Sequence, residues 1–227
     1  MIYKIDDFVA PVCYEKIDIL HQDESILMIG KPSGLLSLSG KNPLNKDSVH
    51  YRLLQEFPTA SLVHRLDFGT SGIMLVALNK PVTANLSKQF QARSIAKSYI
   101  AFLNGNIETD TGVIDLPIAR GEFPRQKICS IEGKLARTHF RVLERSFSPD
   151  ITKVEFTPES GRTHQLRIHS RELGHGILGC DLYSSATVFK MADRLMLHAY
   201  KIEFDHPVTG KRMFGVCDLA PFSEVSY

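Results

Sequence analysis

The chain has 227 residues, of which 43% are hydrophobic and 23% are charged, and this composition is ordinary for a globular protein. The net charge of +2 permits nucleic-acid binding without arguing for it, so a local basic patch would have to supply the affinity. No stretch reaches membrane-spanning length and the first residues lack a signal-peptide core, so we expect a cytoplasmic protein with no membrane partner.

The cysteine content supports the same compartment. The four cysteines are scattered along the chain with no CxxC pair, so neither a disulfide framework nor a zinc site is indicated. The length fits one domain over residues 1–227, beginning with an extended lead-in over residues 1–16.

The first half of the chain predicts short strands and two helices. Two strands flank a turn at residues 22–25, and an apolar run at residues 73–78 predicts a buried strand. One helix is expected to run from an N-cap at Asp47 to Phe57, and a second helix to begin at an N-cap at Asn79.

The second half predicts a meander of strands with few helices. Strands are expected at residues 98–103, 138–143 and 152–157, with the last two paired. A turn at Ser160 and Gly161 leads into a helix. The expected elements after it are a short helix at 185–194, a strand at 195–199, and a hairpin of 201–204 with 212–216. Such a mixture, without regular βαβ alternation, predicts an α+β fold.

Residues 64–77 are the most informative stretch, and they read HRLDFGTSGIMLVA. Asp67 lies in a Gly, Ser and Thr turn that leads directly into the apolar run, and loops on a rigid scaffold often carry catalytic groups. By local chemistry alone, however, an aspartate in such a turn is more often a turn former, and Arg65 with Asp67 is more often a surface ion pair.

Two further segments carry concentrated charge. Residues 120–137 hold five basic side chains, and a charge count alone favours a solvated meander over a lobe that grips phosphates. Residues 158–171 combine Arg162 and Arg167 with two histidines. The histidines at 164, 169 and 175 do not have the spacing of a zinc site, so no metal is expected.

Several of these segments together resemble the RluA family of RNA pseudouridine synthases. The resemblance rests on the Asp67 segment, in the pattern HRLDxxTSG, and on KPSGLL at residues 31–36, where Gly30 stands in place of the usual Asn. It continues through KSY at 97–99, GRTHQLRIH at 161–169, GHGILGCD at 174–181 and LMLHA at 195–199. The order is that of the family, and the short chain, without an S4-type RNA-binding domain, is most similar to its short dual-specificity members.

The resemblance implies a fold, a reaction and a set of site residues. The family fold is a mixed, mainly antiparallel sheet with flanking helices and a central active-site cleft. The reaction breaks the N1–C1′ bond of a uridine, turns the base and rejoins it through C5. It involves no oxidation, so no cofactor is expected.

The family motifs assign roles to particular residues. Asp67 matches the family's catalytic aspartate, Arg167 its arginine partner, and Tyr99 an aromatic residue beside the base that can handle a proton. Whether Asp67 attacks C1′ or C6, or acts through a glycal, stays open. Arg65 is expected to fill the space that the flipped base leaves. Arg120, Arg125, Lys127 and Arg162 are expected to hold phosphates.

The implied partners are a tRNA anticodon stem-loop and a hairpin of 23S rRNA, bound by a monomer. One alternative is an enzyme that acts on rRNA only, and another is a non-catalytic RNA-binding module. A hydrolase with Asp67 as nucleophile is disfavoured. A phosphatase would need a metal-binding acidic cluster and a retaining glycosidase a second catalytic carboxylate, and neither is visible.

Overall fold

The computed structural model describes residues 8–219. The chain forms two compact units, one made of residues up to Ile95 together with Ile202–Cys217, and the other of Ala96–Lys201 with the residues after Cys217. Part of the predicted lead-in, residues 1–7, lies outside the described residues. Residues 8–17 form neither helix nor strand.

The first unit is built on short antiparallel strands. Strand β1 (Asp18–Gln22) pairs with β2 (Ile26–Lys31), and β2 pairs with β4 (Ser71–Ala77), which also pairs with the two-residue β3 (Ser61–Leu62). Every residue of β2 and β4 is buried, so the apolar run after Asp67 is a core strand, as predicted.

Two helices belong to the first unit. Helix α2 (Lys80–Ala92) begins at the predicted N-cap, where the Asn79 side chain accepts a hydrogen bond from Val82 N. The N-cap of α1 (Val49–Leu53) was predicted wrongly: the Ser48 hydroxyl caps it by accepting from Tyr51 N. Asp47 instead pairs with Arg52, and the helix ends at Leu53 and not at Phe57.

The chain returns to the first unit through β11 (Leu197–Asp205), which pairs with β12 (Arg212–Val216). The sequence was interpreted as two strands, at 195–199 and 201–204, and the structure corrects this to one. Tyr200, which separates the two predicted segments, has high strand propensity, so the extended chain continues through it.

The main sheet of the second unit has neighbouring strands in the order β5 (Ala96–Asn104), β10 (Asp150–Pro158), β9 (Arg137–Phe147) and β6 (Thr111–Asp115), each antiparallel to its neighbour. The predicted pairing of residues 138–143 with 152–157 is confirmed. The α+β class with a mixed, mainly antiparallel sheet and few helices is also confirmed.

A hairpin and two helices complete the second unit. Strands β7 (Ile118–Arg120) and β8 (Gln126–Ile128) form a separate two-stranded ribbon, and α3 (Gln165–Glu172) follows the turn after β10. Helix α4 (Ala186–Phe189) has the predicted start, but it ends well before Arg194. The chain then folds against Gly179, where the Arg194 carbonyl lies so close that no side chain would fit.

None of the helices in the described part of the chain has the length and apolar character needed to cross a bilayer.

Candidate active site

The Asp67 segment forms a turn between β3 and β4. The Asp67 carbonyl oxygen accepts a hydrogen bond of 3.1 Å from Thr70 N, which closes the turn, and the following Thr70 and Ser71 are buried. Asp67 itself is half-buried. A carboxylate on a closed turn that leads into a fully buried strand is held on a rigid scaffold, which is the placement expected for a catalytic group.

The turn that follows β2 holds the Asp67 loop from one side. Lys31 is only 2% exposed, and its Nζ donates to the carbonyl oxygens of Pro32, Leu35 and Phe68 at 2.8, 2.7 and 3.2 Å. The Ser33 hydroxyl donates to the carbonyl oxygen of Gly69 at 2.7 Å. The KPSGLL motif therefore fixes the backbone on the C-terminal side of Asp67.

A serine holds the other side of the loop. Ser37 Oγ donates to the carbonyl oxygen of Leu66 at 2.8 Å and lies 3.1 Å from Leu66 N, so it bonds the residue before Asp67 through both backbone groups. Ser37 was not among the site residues predicted from the sequence. Its immediate neighbours are Leu36 and Leu38, and a lone serine between leucines does not indicate which backbone groups its hydroxyl will bond.

The two residues that begin the motif lie in different environments. His64 Nε2 accepts a hydrogen bond of 2.9 Å from Leu75 N, and its ring stacks on Phe90 with centroids 4.8 Å apart. Arg65 is exposed to solvent. The histidine therefore anchors the segment to β4 and α2, while the arginine is available to an incoming ligand.

Tyr99 lies in the second unit, near the start of β5, where it is half-buried and opposite Phe156 of β10. Its ring packs against the core that includes Leu166 and Ile168 of α3. Lys97 is two residues away in the same strand, so both side chains project to the same face of the sheet. Burial lowers the pKa of Lys97 below its usual value.

Arg167 is buried on α3, with 5% of its surface exposed. Its guanidinium donates to the Asp181 carboxylate and to Cys180 Sγ, and its central carbon lies 5.4 Å from the centre of the Tyr183 ring. Charge-assisted hydrogen bonds and ring contacts of this kind fix the guanidinium plane. Asp181 lies within the GHGILGCD motif, but nothing in the sequence singled it or Tyr183 out as partners of Arg167.

The predicted phosphate-binding residues divide into two groups. Arg120 and Arg162 line one cavity of about 360 Å³, together with Gln126, Glu132, Lys134 and Thr163. Lys127 follows Gln126 in β8, so its side chain projects to the opposite face of the hairpin. Arg125 lies in the turn at the tip of the hairpin.

The three histidines that were considered as metal ligands have separate hydrogen-bond partners. His164 Nδ1 bonds Tyr183 Oη at 2.8 Å, His175 Nδ1 bonds the Asn104 carbonyl oxygen at 2.9 Å, and buried His169 bonds Thr138 and the Leu116 carbonyl oxygen. Residues 8–219 contain no group of three or more His, Cys, Asp or Glu side chains placed to hold a metal ion.

The site residues thus fall on both units. Asp67 and Arg65 belong to the first unit, and Tyr99, Arg167 and the basic side chains belong to the second. Within each unit, the motifs that are separated in sequence come together: KPSGLL with the Asp67 turn, and the β7–β8 hairpin with the segment around Arg162.

Comparison with known proteins identifies the family. Residues 25–172 match the family model described as RNA pseudouridylate synthase, which covers more than half of the chain. The chain therefore belongs to the RNA pseudouridylate synthase family and is an isomerase that makes pseudouridine in RNA.

Individual relatives are similar over nearly their whole length. The dual-specificity RNA pseudouridine synthase RluA of Yersinia pestis is 44% identical over 202 residues, which cover 88% of this chain and 98% of the relative. The corresponding enzyme of Escherichia coli K12 is 42% identical over 198 residues, covering 86% of this chain and 90% of its own.

Solved structures have the same fold. Human RNA pseudouridylate synthase domain containing 1 superposes with a TM-score of 0.75 at 29% identity, over 92% of this chain and 85% of that chain. Human RNA pseudouridylate synthase domain containing 4 superposes with a TM-score of 0.70 at 26% identity, over 88% of each.

Proposed function

We propose that this pseudouridine synthase has dual specificity and modifies one uridine in a tRNA anticodon loop and one in a hairpin of 23S rRNA. The observation that carries the proposal is the 44% identity to a dual-specificity relative over 98% of that relative's length. The proposal includes a monomer that works in the cytoplasm, where both RNAs are found.

Asp67 is the proposed catalytic carboxylate. The arrangement that supports this role is the loop itself, because Lys31, Ser33 and Ser37 fix the backbone on both sides of the residue. A nucleophile or charge stabiliser must be held in position before the substrate arrives, since a misplacement of about 1 Å costs on the order of a hundredfold in rate.

Arg167 and Tyr99 are the proposed partners of Asp67 in the reaction. The buried Arg167 guanidinium, already oriented by Asp181 and Tyr183, would stabilise negative charge without further reorganisation. Tyr99, half-buried at the start of β5, would stack on the freed base or move a proton.

Substrate RNA would be held by basic side chains. Arg65, next to the Asp67 turn, would enter the space that the flipped uridine leaves. Arg120 and Arg162, which line the same cavity, would bind phosphates of the loop, with Arg125 and Lys127 extending the contact along the hairpin.

A tritium-release assay with two substrates tests the proposal. Transcripts of tRNA and of a 23S rRNA fragment, labelled at uridine C5, would be incubated with the purified protein in the presence of chelator. Release from both supports dual specificity, and mapping the modified base identifies each site. Release from rRNA alone would make the chain an rRNA-only enzyme. RNA binding without release from either would contradict the proposal for these substrates.

A further inference from the structure

The turn between β7 and β8 exposes a large aromatic side chain. Phe123 is 66% accessible to solvent, although phenylalanine normally stabilises a protein by being buried. Scattered exposed apolar residues need no explanation by themselves. Phe123 is informative because of the residues that lie near it.

The hairpin that carries Phe123 is held by hydrogen bonds within its turn and directly after it. Gly121 N donates to the Arg125 carbonyl oxygen at 3.2 Å, and Arg125 N donates to the Glu122 carbonyl oxygen at 2.7 Å, so the turn has internal hydrogen bonds. Gln126 N donates to the hydroxyl of buried Tyr183 at 2.7 Å. This bond ties the hairpin to the residue whose ring contacts Arg167.

Basic residues lie on both sides of Phe123 in the chain. Arg120, Arg125 and Lys127 are all exposed and lie within four residues of it, against a single carboxylate at Glu122. Arg120 also lines the cavity that contains Arg162, Lys134 and one carboxylate, Glu132. An exposed aromatic ring with cationic residues close by in the chain is an arrangement with which proteins bind unpaired nucleotides, because the cations hold phosphates and the ring stacks on a base.

We propose that Phe123 is an RNA-contact residue whose ring stacks on an unpaired base of the substrate loop. The proposal rests on the proposed function, because it takes an RNA loop as the substrate, and it adds a residue that reads the unpaired state of the RNA. Stacking on Phe123 would favour loops over duplexes, since bases within a helix are not accessible to an aromatic side chain.

The chain offers a matched control. Phe147 is 77% exposed and lies at the turn between β9 and β10, so it has a similar side chain, exposure and kind of turn. Its neighbouring Arg145 is already paired with Asp110, and Asp150 lies opposite Phe147 in the β9–β10 register. Phe147→Ala should therefore leave RNA binding unchanged.

The test compares Phe123→Ala, Phe123→Leu and Phe123→Trp with Phe147→Ala. Affinity is measured by fluorescence anisotropy with a labelled single-stranded oligouridylate, and KM and kcat by tritium release from the tRNA transcript. Loss of one stacked base should weaken binding about tenfold, within the range for such contacts. We expect Phe123→Ala and Phe123→Leu to raise Kd and KM by this factor with kcat little changed, and Phe123→Trp to retain the parent values.

Salt dependence separates stacking from charge. Arg125→Gln should reduce the slope of log Kd against log salt by about 0.7, the value for one phosphate contact with a single strand. Phe123→Ala should leave that slope unchanged while raising Kd at every salt concentration. Melting temperatures identify any variant that is destabilised. If Phe123→Ala is destabilised, the comparison of Phe123→Leu with Phe123→Trp tests the proposal instead.

Either of two results would overturn the proposal. The first is a Phe123→Ala variant with the parent's Kd and KM, and the second is a Phe123→Leu variant that binds as tightly as the parent. Failure of the proposed function gives a different result, because a parent protein that releases no tritium from tRNA or rRNA can still bind the oligouridylate, and this binding still tests Phe123.

Discussion

Lys31 Nζ donates a hydrogen bond of 3.2 Å to the carbonyl oxygen of Phe68, the residue that follows Asp67. A charged side chain that is 98% buried loses its hydration, so the three carbonyl oxygens around Nζ must replace water. The bond connects two motifs that are more than thirty residues apart in the sequence, and it makes the position of the Asp67 loop depend on the turn after β2.

Replacing this lysine should therefore loosen the loop. We expect Lys31→Met to lower the free energy of unfolding by about 1–3 kcal/mol, because buried carbonyl oxygens lose their donor. The variant should also have a lower kcat. Urea denaturation and tritium release measure the two effects, with Lys190→Met, at an exposed lysine of the second unit, as the control. A Lys31→Met variant with the stability and kcat of the parent would contradict the proposed role.

Asp181 should act through Arg167. The carboxylate accepts a charge-assisted hydrogen bond from the buried guanidinium while its own side chain is 63% exposed. We expect Asp181→Ala to lower kcat about ten- to a hundredfold by releasing the guanidinium from its orientation, with KM changed much less. Asp181→Glu should restore part of the rate. Asp193→Ala, at another exposed aspartate, is the control, and equal kcat values for the two alanine variants would rule out the role.

The buried His169 predicts how stability depends on pH. Burial lowers its pKa below the ordinary value of 6.5, because a charged ring has no water around it there. Between the lowered pKa and 6.5 the unfolded chain binds more protons than the folded protein, so the free energy of unfolding falls as the pH is lowered through about 6.5.

The slope of this loss is limited to about 1.4 kcal/mol per pH unit for one group. Urea denaturation between pH 5 and 7.5 should show this loss of stability in the parent, and His169→Gln should reduce the loss. His139→Gln, at an exposed histidine paired with Glu159, should leave the loss of stability at low pH unchanged. A pH dependence that is the same in the parent and in His169→Gln would show that His169 is not its source.

Local patterns in the sequence were sufficient to predict much of the fold. The apolar run after Asp67 predicted β4, Asn79 predicted the start of α2, and two strand segments joined by a short connection predicted the pairing of β9 with β10. The N-cap at Asp47 was wrong because Asp47 and Ser48 are both good caps, and only the ion pair with Arg52 decides between them.

The supports of the site could not be predicted in the same way. Lys31 is a charged residue that is almost completely buried, which is rare, and its acceptors at Leu35 and Phe68 are known only from the folded chain. The contacts of Arg167 with Asp181 and Tyr183 span fourteen and sixteen residues and depend on how the loop after α3 folds back. The motifs indicated which segments carry the site residues, and the tertiary contacts show how these segments are held in place.

The central claim is that the Asp67 carboxylate carries out the isomerisation. Asp67→Asn keeps the size of the side chain and removes its charge, so we expect tritium release from the tRNA transcript to fall by at least about a thousandfold. RNA affinity should stay close to that of the parent, and Asp18→Asn, at an exposed aspartate of β1, should behave as the parent does. An Asp67→Asn protein that is folded, binds the transcript and releases tritium at a rate near that of the parent would contradict the account.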